Sequence, residues 1–235
     1  MRIRSKCAVV LFGPPGSGKT TIVRALNVKQ PLTVIETGNL LEREIRLRTA
    51  IGKRIKRDKA AGKLVSTDVV KTVIQARLKK VKTGWVLFDG FPRHLGQAEV
   101  FFELLETQRL NLCLVGILTL KLATALKRIA GRRVCPECGR LYNLQMNPPA
   151  KVGTCDGCGG KLEVRADDQP ATIRRRFATY RRETQPVIRR FKRDYPDCCW
   201  EAPEASGSIE LAAQLSERLD SLREGGASKT RRAGN

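Results

Sequence analysis

The stretch AVVLFGPPGSGKTT, residues 8–21, is an apolar run that ends abruptly in a glycine-rich turn. Its second half, GPPGSGKT at residues 13–20, matches the phosphate-binding pattern G-x-x-x-x-G-K-[ST] position for position. The order predicts a buried strand, a turn and a helix, which aim backbone N–H groups and a helix N-terminus at one point. Gly16 and Gly18 permit close backbone approach there. We therefore expect Lys19 to bridge the β- and γ-phosphates of a nucleotide and the Thr20 hydroxyl to face Mg²⁺.

Composition favours a globular protein with an anionic partner. The chain has 235 residues, 41% of them hydrophobic, and a formal net charge of +22. Nucleotides, nucleic acid and acidic membranes all qualify as partners, and charge alone does not rank them. The apolar run after Met1 is too short for a secretory signal, and no stretch approaches the roughly 18 apolar residues that a membrane span needs. We expect a cytoplasmic monomer that does not bind membranes.

Buried strands alternate with helices along the chain. Further strands are predicted at residues 32–35, 84–89, 112–120 and 198–201, and helices after Thr21, from near Leu40, at 121–130 and at 209–222. This alternation predicts a parallel sheet covered on both faces by helices. The small, polar and basic stretch 225–235 is expected to be disordered.

The segment 43–82 is helical in pattern and very basic. It carries fourteen lysines and arginines against three acids, so half of the net charge lies here. The strand GWVLFD that follows, residues 84–89, ends in Asp89. An acid at the end of a buried strand is what a P-loop protein uses to organise Mg²⁺, although helix capping is an alternative role.

Two C-x-x-C-G sequences, Cys135–Cys138 and Cys155–Cys158, are sixteen residues apart. This spacing is typical of four-cysteine zinc sites, and four protein ligands leave the metal a structural role. Redox-active or metal-free thiols remain the alternative. The other cysteines, at positions 7, 113, 198 and 199, lie in or beside predicted strands, which favours core packing.

The order of several motifs resembles that of the adenylate kinases, of the long-lid bacterial type with a zinc-binding lid. The matching pieces are GPPGSGKTT, ETGNLL, GKLVSTDVV, DGFPRHLGQA, LKRIAGRRVCPECGRLYN and VRADDQPATIRRRF, within residues 5–222. The resemblance implies a P-loop kinase core of residues 5–36, 83–132 and 166–224. It also implies an inserted acceptor-nucleotide subdomain at 37–82 and a zinc-binding lid at 133–165. The implied reaction is reversible, Mg²⁺-dependent transfer of the ATP γ-phosphate to AMP.

The resemblance also implies roles for individual residues. ATP would be bound by Gly13, Pro15, Gly16, Ser17, Gly18, Lys19, Thr20, Thr21, Arg128, Arg132 and Gly207. AMP would be bound by Thr37, Gly38, Lys63, Leu64, Val65, Gly90, Arg93, Gln97, Arg165 and Arg176. Catalysis would rest on Lys19, Asp89, Arg93, Arg132, Arg165 and Arg176, with Asp167 and Asp168 at the lid hinge. The one histidine, His94, is expected to start a helix, because an anionic phosphate nucleophile needs no general base.

The main departure from the family pattern is at position 42. The arginine that usually grips the AMP phosphate after T-G-[DN]-x-L is replaced by Glu42. Arg46 lies one helical turn further on the same face, and we expect it to substitute. Two alternative functions stay open: a kinase for another nucleoside monophosphate, for which Glu42 is the reason, and a P-loop zinc protein that binds nucleic acid through its basic surface.

Overall fold

The computed structural model of the chain describes residues 6–60, 65–81, 84–202 and 207–224. Lys63, Leu64 and the terminal segment 225–235, for which the sequence makes predictions, lie outside these residues. No helix in the described ranges is both long and apolar enough to cross a bilayer.

A five-stranded parallel sheet forms the centre of the fold, as the sequence predicts. The strands, in spatial order, are β2 (Leu32–Glu36), β3 (Gly84–Asp89), β1 (Lys6–Phe12), β4 (Leu110–Ile117) and β7 (Cys199–Glu201). The flanking helices are α1 (Lys19–Lys29), α2 (Thr37–Arg46), α3 (Ala50–Ala60), α4 (Thr67–Leu78), α5 (Leu95–Thr107), α6 (Leu122–Ala130), α7 (Pro170–Thr179), α8 (Gln185–Asp194) and α9 (Ser208–Glu224). A small antiparallel pair, β5 (Arg132–Val134) with β6 (Leu141–Asn143), lies apart from the sheet.

Both faces of the sheet are buried. Along β1 the side chains of Ala8, Val10 and Phe12 join one hydrophobic cluster, and those of Cys7, Val9 and Leu11 join the other. This alternation follows from the two-residue period of a strand, and burial on both sides explains why β1 is uniformly apolar. Of the cysteines expected to pack in the core, Cys7, Cys113 and Cys198 are buried and Cys199 is half-buried.

The basic segment 43–82 is not one helix, and the structure corrects two helix boundaries here. Helix α2 begins at Thr37 rather than near Leu40, directly after β2. Helix α2 ends at Arg46. Arg48 then adopts a φ of 51°, a left-handed conformation in which a right-handed helix cannot continue. The Thr49 hydroxyl accepts a hydrogen bond from the Gly52 N–H at 2.9 Å, so Thr49 is the N-cap of α3.

Three strand boundaries, both ends of β4 and the start of β7, also differ by a few residues from the prediction. Strand β4 spans Leu110–Ile117 instead of 112–120, and β7 begins at Cys199 instead of Cys198. Leu118 still donates a hydrogen bond to the Phe12 carbonyl at 2.8 Å, after which the chain leaves the sheet for α6. Cys198 ends a short 3-10 turn, Pro196–Cys198, that delivers the chain into β7.

Helices α7 and α8 are joined by a π-helical turn, Tyr180–Thr184, without an intervening loop. Pro186 follows at the start of α8. A proline has no N–H to donate and clashes with the carbonyl four residues earlier in a regular helix. The wider π turn gives the chain room to pass this proline while the helical run continues.

Candidate active site

The glycine-rich turn lies between β1 and α1, as the sequence predicts. Gly16 and Gly18 have φ values of 79° and 89°, which disfavour any residue with a Cβ atom. A Cβ on Gly18 would also lie 2.1 Å from Ser208 Oγ at the start of α9. The turn is closed by a hydrogen bond from the Ser17 N–H to the Pro14 carbonyl at 3.2 Å. Backbone and packing both therefore require glycine at position 18.

Lys19 folds back over this turn. Its Nζ donates hydrogen bonds to the carbonyls of Gly13 at 2.5 Å and Pro14 at 3.1 Å, and to Ser17 Oγ at 3.3 Å. Burial lowers the pKa of Lys19 to about 8; Asp89 opposes this shift, and three arginines add to it. The ammonium group is therefore held where an anion would stabilise it strongly.

Two carboxylates stand at the neighbouring strand ends. Asp89 closes β3, and the register pairs it with Leu11 of β1 on one side and Glu36 of β2 on the other. Burial raises the pKa of both carboxyl groups, and the charge of Asp89 adds to the shift at Glu36. Two adjacent half-buried carboxylates that repel each other provide hard oxygen ligands for a divalent cation such as Mg²⁺.

Four arginines predicted to be catalytic surround this edge of the sheet. Arg93, Arg132 and Arg176 all act electrostatically on Lys19. Arg176 in turn has a lowered pKa, because burial and the charges of Arg132, Arg165 and Arg93 outweigh the attraction of Asp167. Side chains from four separate parts of the chain thus bring like charges together, and a bound anion would add to the partial compensation by the nearby acids.

Arg93 is fixed by its own loop. Its Nε donates to the Gly90 carbonyl at 2.8 Å, its backbone N–H donates to Gln97 Oε1 at 2.8 Å, and its carbonyl accepts from Thr184 Oγ1 at 2.9 Å. Gly90 has a φ of 78°, and a Cβ there would lie 2.8 Å from the Arg93 guanidinium. His94 caps α5, with Nδ1 accepting from the Gln97 N–H at 3.4 Å, in agreement with its predicted place at a helix start.

Arg132 is bound by one of the two predicted hinge acids. Its Nε donates to Asp168 Oδ2 at 2.8 Å, and a second guanidinium nitrogen contacts Oδ1. The Asp168 side chain is 1% exposed, whereas Asp167 is exposed. A bidentate pair of this kind fixes the guanidinium plane, so Asp168 orients Arg132.

The predicted acceptor side contains two unpaired hydroxyls. Thr37 Oγ1 is buried and has no hydrogen-bond partner within the described ranges; the same is true of Ser66 Oγ, beside Val65. Gly38 is exposed, and a Cβ there would meet open space. Arg46 lies exposed in the last turn of α2 and is not among the main charges that shift the pKa values of Lys19, Asp89 or Arg176.

The remaining residues predicted to bind ATP border the glycine-rich turn. Thr20 and Thr21 lie in the first turn of α1, and Gly207 immediately precedes α9, whose Ser208 touches Gly18. Arg128 lies in the last turn of α6, and its carbonyl accepts a hydrogen bond from Asn143 Nδ2 at 2.8 Å. Pro15 is half-buried in the turn itself.

The four cysteines of the two C-x-x-C-G sequences converge. Their Sγ atoms all lie within 4.8 Å of one another, at 3.4 Å for Cys135–Cys158 and 3.5 Å for Cys138–Cys155. These distances far exceed the 2.05 Å of a disulfide and lie near the ~3.8 Å edge of a ZnS₄ tetrahedron built from 2.3 Å bonds. The residues therefore fit a tetrahedral metal.

Backbone hydrogen bonds shape this cysteine cluster. Gly139 and Gly159, with φ values of 71° and 75°, turn each sequence so that its N–H donates back to the carbonyl of Cys135 or Cys155. The Gly157 N–H also approaches Cys155 Sγ at 3.4 Å, and the Tyr142 hydroxyl lies 3.5 Å from the same sulfur. Donors aimed at a sulfur stabilise a thiolate ligand.

Several residues of this region are not evident from sequence. The Thr184 hydroxyl donates a hydrogen bond to the carbonyl of Arg93, 91 residues away along the chain. The Arg24 guanidinium donates one to the carbonyl of Gly139, 115 residues away. No local pattern marks such partners. Glu36 could have been found, because it ends a predicted strand next to the one that Asp89 ends.

Comparisons with known proteins agree with this geometry. The family model described as "Adenylate kinase" matches residues 11–195. The chain is 32% identical to the adenylate kinase of Pyrococcus furiosus over 185 residues, covering 79% of this chain and 84% of that protein. It is 38% identical to the adenylate kinase of Thermodesulfovibrio yellowstonii over 182 residues, or 77% and 84% of the two chains. For the adenylate kinase of Methanocella arvoryzae the identity is 37% over 188 residues, or 78% and 86%. The chain therefore belongs to the adenylate kinase family, a family of nucleoside monophosphate kinases.

Proposed function

We propose that this protein transfers the γ-phosphoryl group of ATP to AMP, giving two molecules of ADP, in a reversible and Mg²⁺-dependent reaction. The observation that carries the proposal is the convergence of Lys19, Arg93, Arg132 and Arg176 on the sheet edge that also holds Asp89. The family membership and the glycine-rich turn support the same reaction.

The donor would bind over the glycine-rich turn. The backbone N–H groups of Gly16 and Gly18 and the start of α1 would face the ATP phosphates, and Lys19 would exchange the carbonyls of Gly13 and Pro14 for phosphate oxygens. Arg128 and Arg132 would hold the same nucleotide from α6 and β5, with Gly207 beside the base.

The acceptor would bind between β3 and the helices α2 and α4. Thr37 and Ser66 each bury a hydroxyl that lacks a partner in the described residues, and a nucleotide would satisfy both. Gly38, Val65, Gly90, Gln97, Lys63 and Leu64 complete the proposed pocket. Arg93 would contact the AMP phosphate, with Arg46 as a second contact in place of the family's usual arginine, whose position is taken by Glu42.

The chemistry needs positioning and charge neutralisation. An AMP phosphate oxygen attacks the γ-phosphorus of ATP, the bond from that phosphorus to the β–γ bridging oxygen breaks, and ADP leaves with the bonding electrons. The attacking oxygen is already anionic near neutral pH, so no base removes a proton. Arg132, Arg165 and Arg176 would stabilise the charge spread over the transferred group, with Asp168 holding Arg132 in its orientation.

Two metals are part of the proposal. Asp89, with Glu36 beside it and the Thr20 hydroxyl across the turn, would hold Mg²⁺, which when bound neutralises phosphate oxygens. Cys135, Cys138, Cys155 and Cys158 would hold a structural Zn²⁺, around which residues 133–165 fold as a lid. A closed lid excludes water, which would otherwise compete with AMP as acceptor.

A second candidate is a kinase for a different nucleoside monophosphate. Glu42 is exposed on α2 at the position where family members usually carry a phosphate-binding arginine. A carboxylate there would repel an acceptor phosphate placed as in those members. The acceptor could then differ in its base or in its position.

The test is ADP formation from MgATP with AMP, CMP, UMP or GMP in turn. We expect turnover with AMP far above that with the others; a preference for another acceptor would select the second candidate. Arg46→Ala should raise the KM for AMP about tenfold, as for a lost charge-assisted hydrogen bond, and leave the KM for ATP unchanged. Arg43→Ala is the matched control, because one step along the helix turns a side chain by about 100°. An unchanged KM for AMP in Arg46→Ala would rule out the role of Arg46.

A further inference from the structure

The continuous helical run from α7 through the π turn to α8 carries an exposed stripe of arginines. It spans residues 170–194, about 37 Å at 1.5 Å per residue. We call the following exposed residues the arginine stripe: Arg174, Arg175, Arg181, Arg182, Arg189 and Arg193. They provide six of the formal positive charges of the chain, and the phosphoryl-transfer reaction as proposed uses none of them.

Arg174 and the proposed active site lie on different sides of the helix. Arg176 is close enough to Lys19 to lower the pKa of Lys19, and Arg174 lies two residues before Arg176, so the two side chains leave the helix about 200° apart. Arg174 and Arg181 instead share one side and line a groove of about 410 Å³. The groove is completed by the following residues: Leu122, Phe177, Ala178 and Arg182.

The groove combines positive walls with an apolar floor. Its lining residues include no acidic side chain. Phe177 is buried beneath it, and the guanidinium carbon of Arg181 lies 5.4 Å from the centre of that ring. A guanidinium placed over a phenyl ring is held in position by the cation–π attraction. Because Arg181 remains exposed, its guanidinium can stack on a second planar group from outside.

Further features favour a phosphate chain as the occupant. Leu122 is the first residue of α6 and lines the groove, so the uncapped N-terminus of that helix adds a partial positive charge. Among the described residues Arg182 forms an ion pair with its neighbour Glu183, and this exposed pair is too weak to neutralise the site. A membrane surface is disfavoured, since the large exposed apolar side chains of the described residues all lie outside 170–194.

We propose that the arginine stripe and its groove bind single-stranded nucleic acid, as an activity separate from phosphoryl transfer. The guanidinium groups of Arg174 and Arg182 pair with backbone phosphates, and a base stacks on the outer face of Arg181. Arginine suits this role better than lysine, because its planar group both forks onto a phosphate and stacks on a base.

The test is fluorescence anisotropy of a labelled, mixed-sequence 15-nucleotide RNA titrated with the full-length protein at several KCl concentrations. We expect the triple variant Arg174→Ala/Arg181→Ala/Arg182→Ala to bind at least tenfold more weakly. The slope of log K against log [KCl] should fall in magnitude by about 1.4, because the two phosphate contacts of Arg174 and Arg182 contribute roughly 0.7 each. Its kinase activity should stay that of the unmodified protein, which also shows that it folds.

A second triple variant, Lys53→Ala/Arg54→Ala/Arg57→Ala, removes the same charge from three exposed positions of α3. It should bind RNA within about twofold of the unmodified protein; an equal loss in the two triple variants would mean that binding follows net charge and would overturn the proposed site. The Lys19→Met variant should bind RNA with the affinity of the unmodified protein. A loss of RNA affinity in this variant would mean that RNA binds at the active site and would also overturn the proposal.

Two further arms test the base-stacking step. Arg181→Lys keeps the charge and loses the planar group, so we expect about tenfold weaker RNA binding with an unchanged salt slope. Inorganic polyphosphate and vesicles containing anionic lipid should compete poorly at equal phosphate concentration. If polyphosphate or the vesicles compete as well as unlabelled RNA does, the bases contribute nothing to binding. The occupant of the groove would then not be nucleic acid.

Discussion

Replacing Lys19 with methionine is expected to stabilise the ligand-free protein in a way that depends on pH. Burial lowers the pKa of Lys19 from 10.5 to about 8. Below pH 8 the lysine is charged in the folded and unfolded states, and the full penalty for burying that charge is present. Between pH 8 and 10.5 the unfolded chain still binds the proton while the folded chain has released it, so stability rises with pH.

The magnitude follows from the two pKa values. A shift from 10.5 to about 8 corresponds to about 3 kcal/mol of lost stability at pH 7 and about 1 kcal/mol at pH 9.5. Methionine has a similar volume and no charge, so Lys19→Met removes this penalty. It also removes the hydrogen bonds of Lys19 to its own turn, but that loss is nearly independent of pH. The stability difference between the variant and the unmodified protein should therefore shrink by about 2 kcal/mol from pH 7 to pH 9.5.

The assay is urea unfolding of both proteins at the two pH values. Lys127→Met, at an exposed position of α6, is the matched control and should show no such trend. A Lys19→Met difference that is the same at both pH values would refute the argument that the Lys19 ammonium is held at an electrostatic penalty.

The same argument makes a prediction for ATP binding. The triphosphate should raise the pKa of Lys19, because an adjacent negative charge favours its protonated form. At pH 8 to 9 the protein should therefore take up a fraction of a proton on binding ATP. Calorimetry in two buffers of different ionisation enthalpy measures this uptake, which Lys19→Met should abolish.

Three further variants test other parts of the site. Asp168→Asn leaves Arg132 without its buried charged partner, so we expect the free energy of unfolding to fall by about 3 kcal/mol and kcat to fall as well. Urea unfolding and steady-state kinetics measure the two losses, and an unaltered kcat would contradict the orienting role of Asp168. Cys135→Ser should reduce bound zinc, measured by atomic absorption, from one equivalent to well below half. Gly18→Ala should weaken ATP binding measured by titration, and adding Ser208→Ala should restore only part of it, since the positive φ remains.

Much of the fold could be predicted because its signals are local. The apolar run and its terminal acid delimit the strand β3 at Gly84–Asp89, and the spacing of its residues alone identifies the glycine-rich turn. The errors arose where a tertiary or capping interaction sets a boundary. Helix α2 stops because Arg48 adopts positive φ and Thr49 caps α3, and β4 stops where its neighbour β1 ends. Residue types and hydrophobic periodicity only weakly indicate where α2 and β4 end.

The sequence by itself determined the fold class, the glycine-rich turn and the clustering of the four cysteines, because each depends on residue types at fixed short spacings. No local pattern marks which of the many arginines meet at one point, although the family resemblance implies Arg93, Arg132, Arg165 and Arg176. Only the tertiary structure brings Arg93, Arg132 and Arg176 close enough to Lys19 to lower the pKa of Lys19, while it places Arg174, two residues from Arg176 on one helix, at an outer groove. It also pairs Arg132 with Asp168 and leaves the hydroxyl of Thr37 buried without a partner in the described chain. A charge acts over distance in space, and distances between segments remote in sequence exist only once the chain has folded.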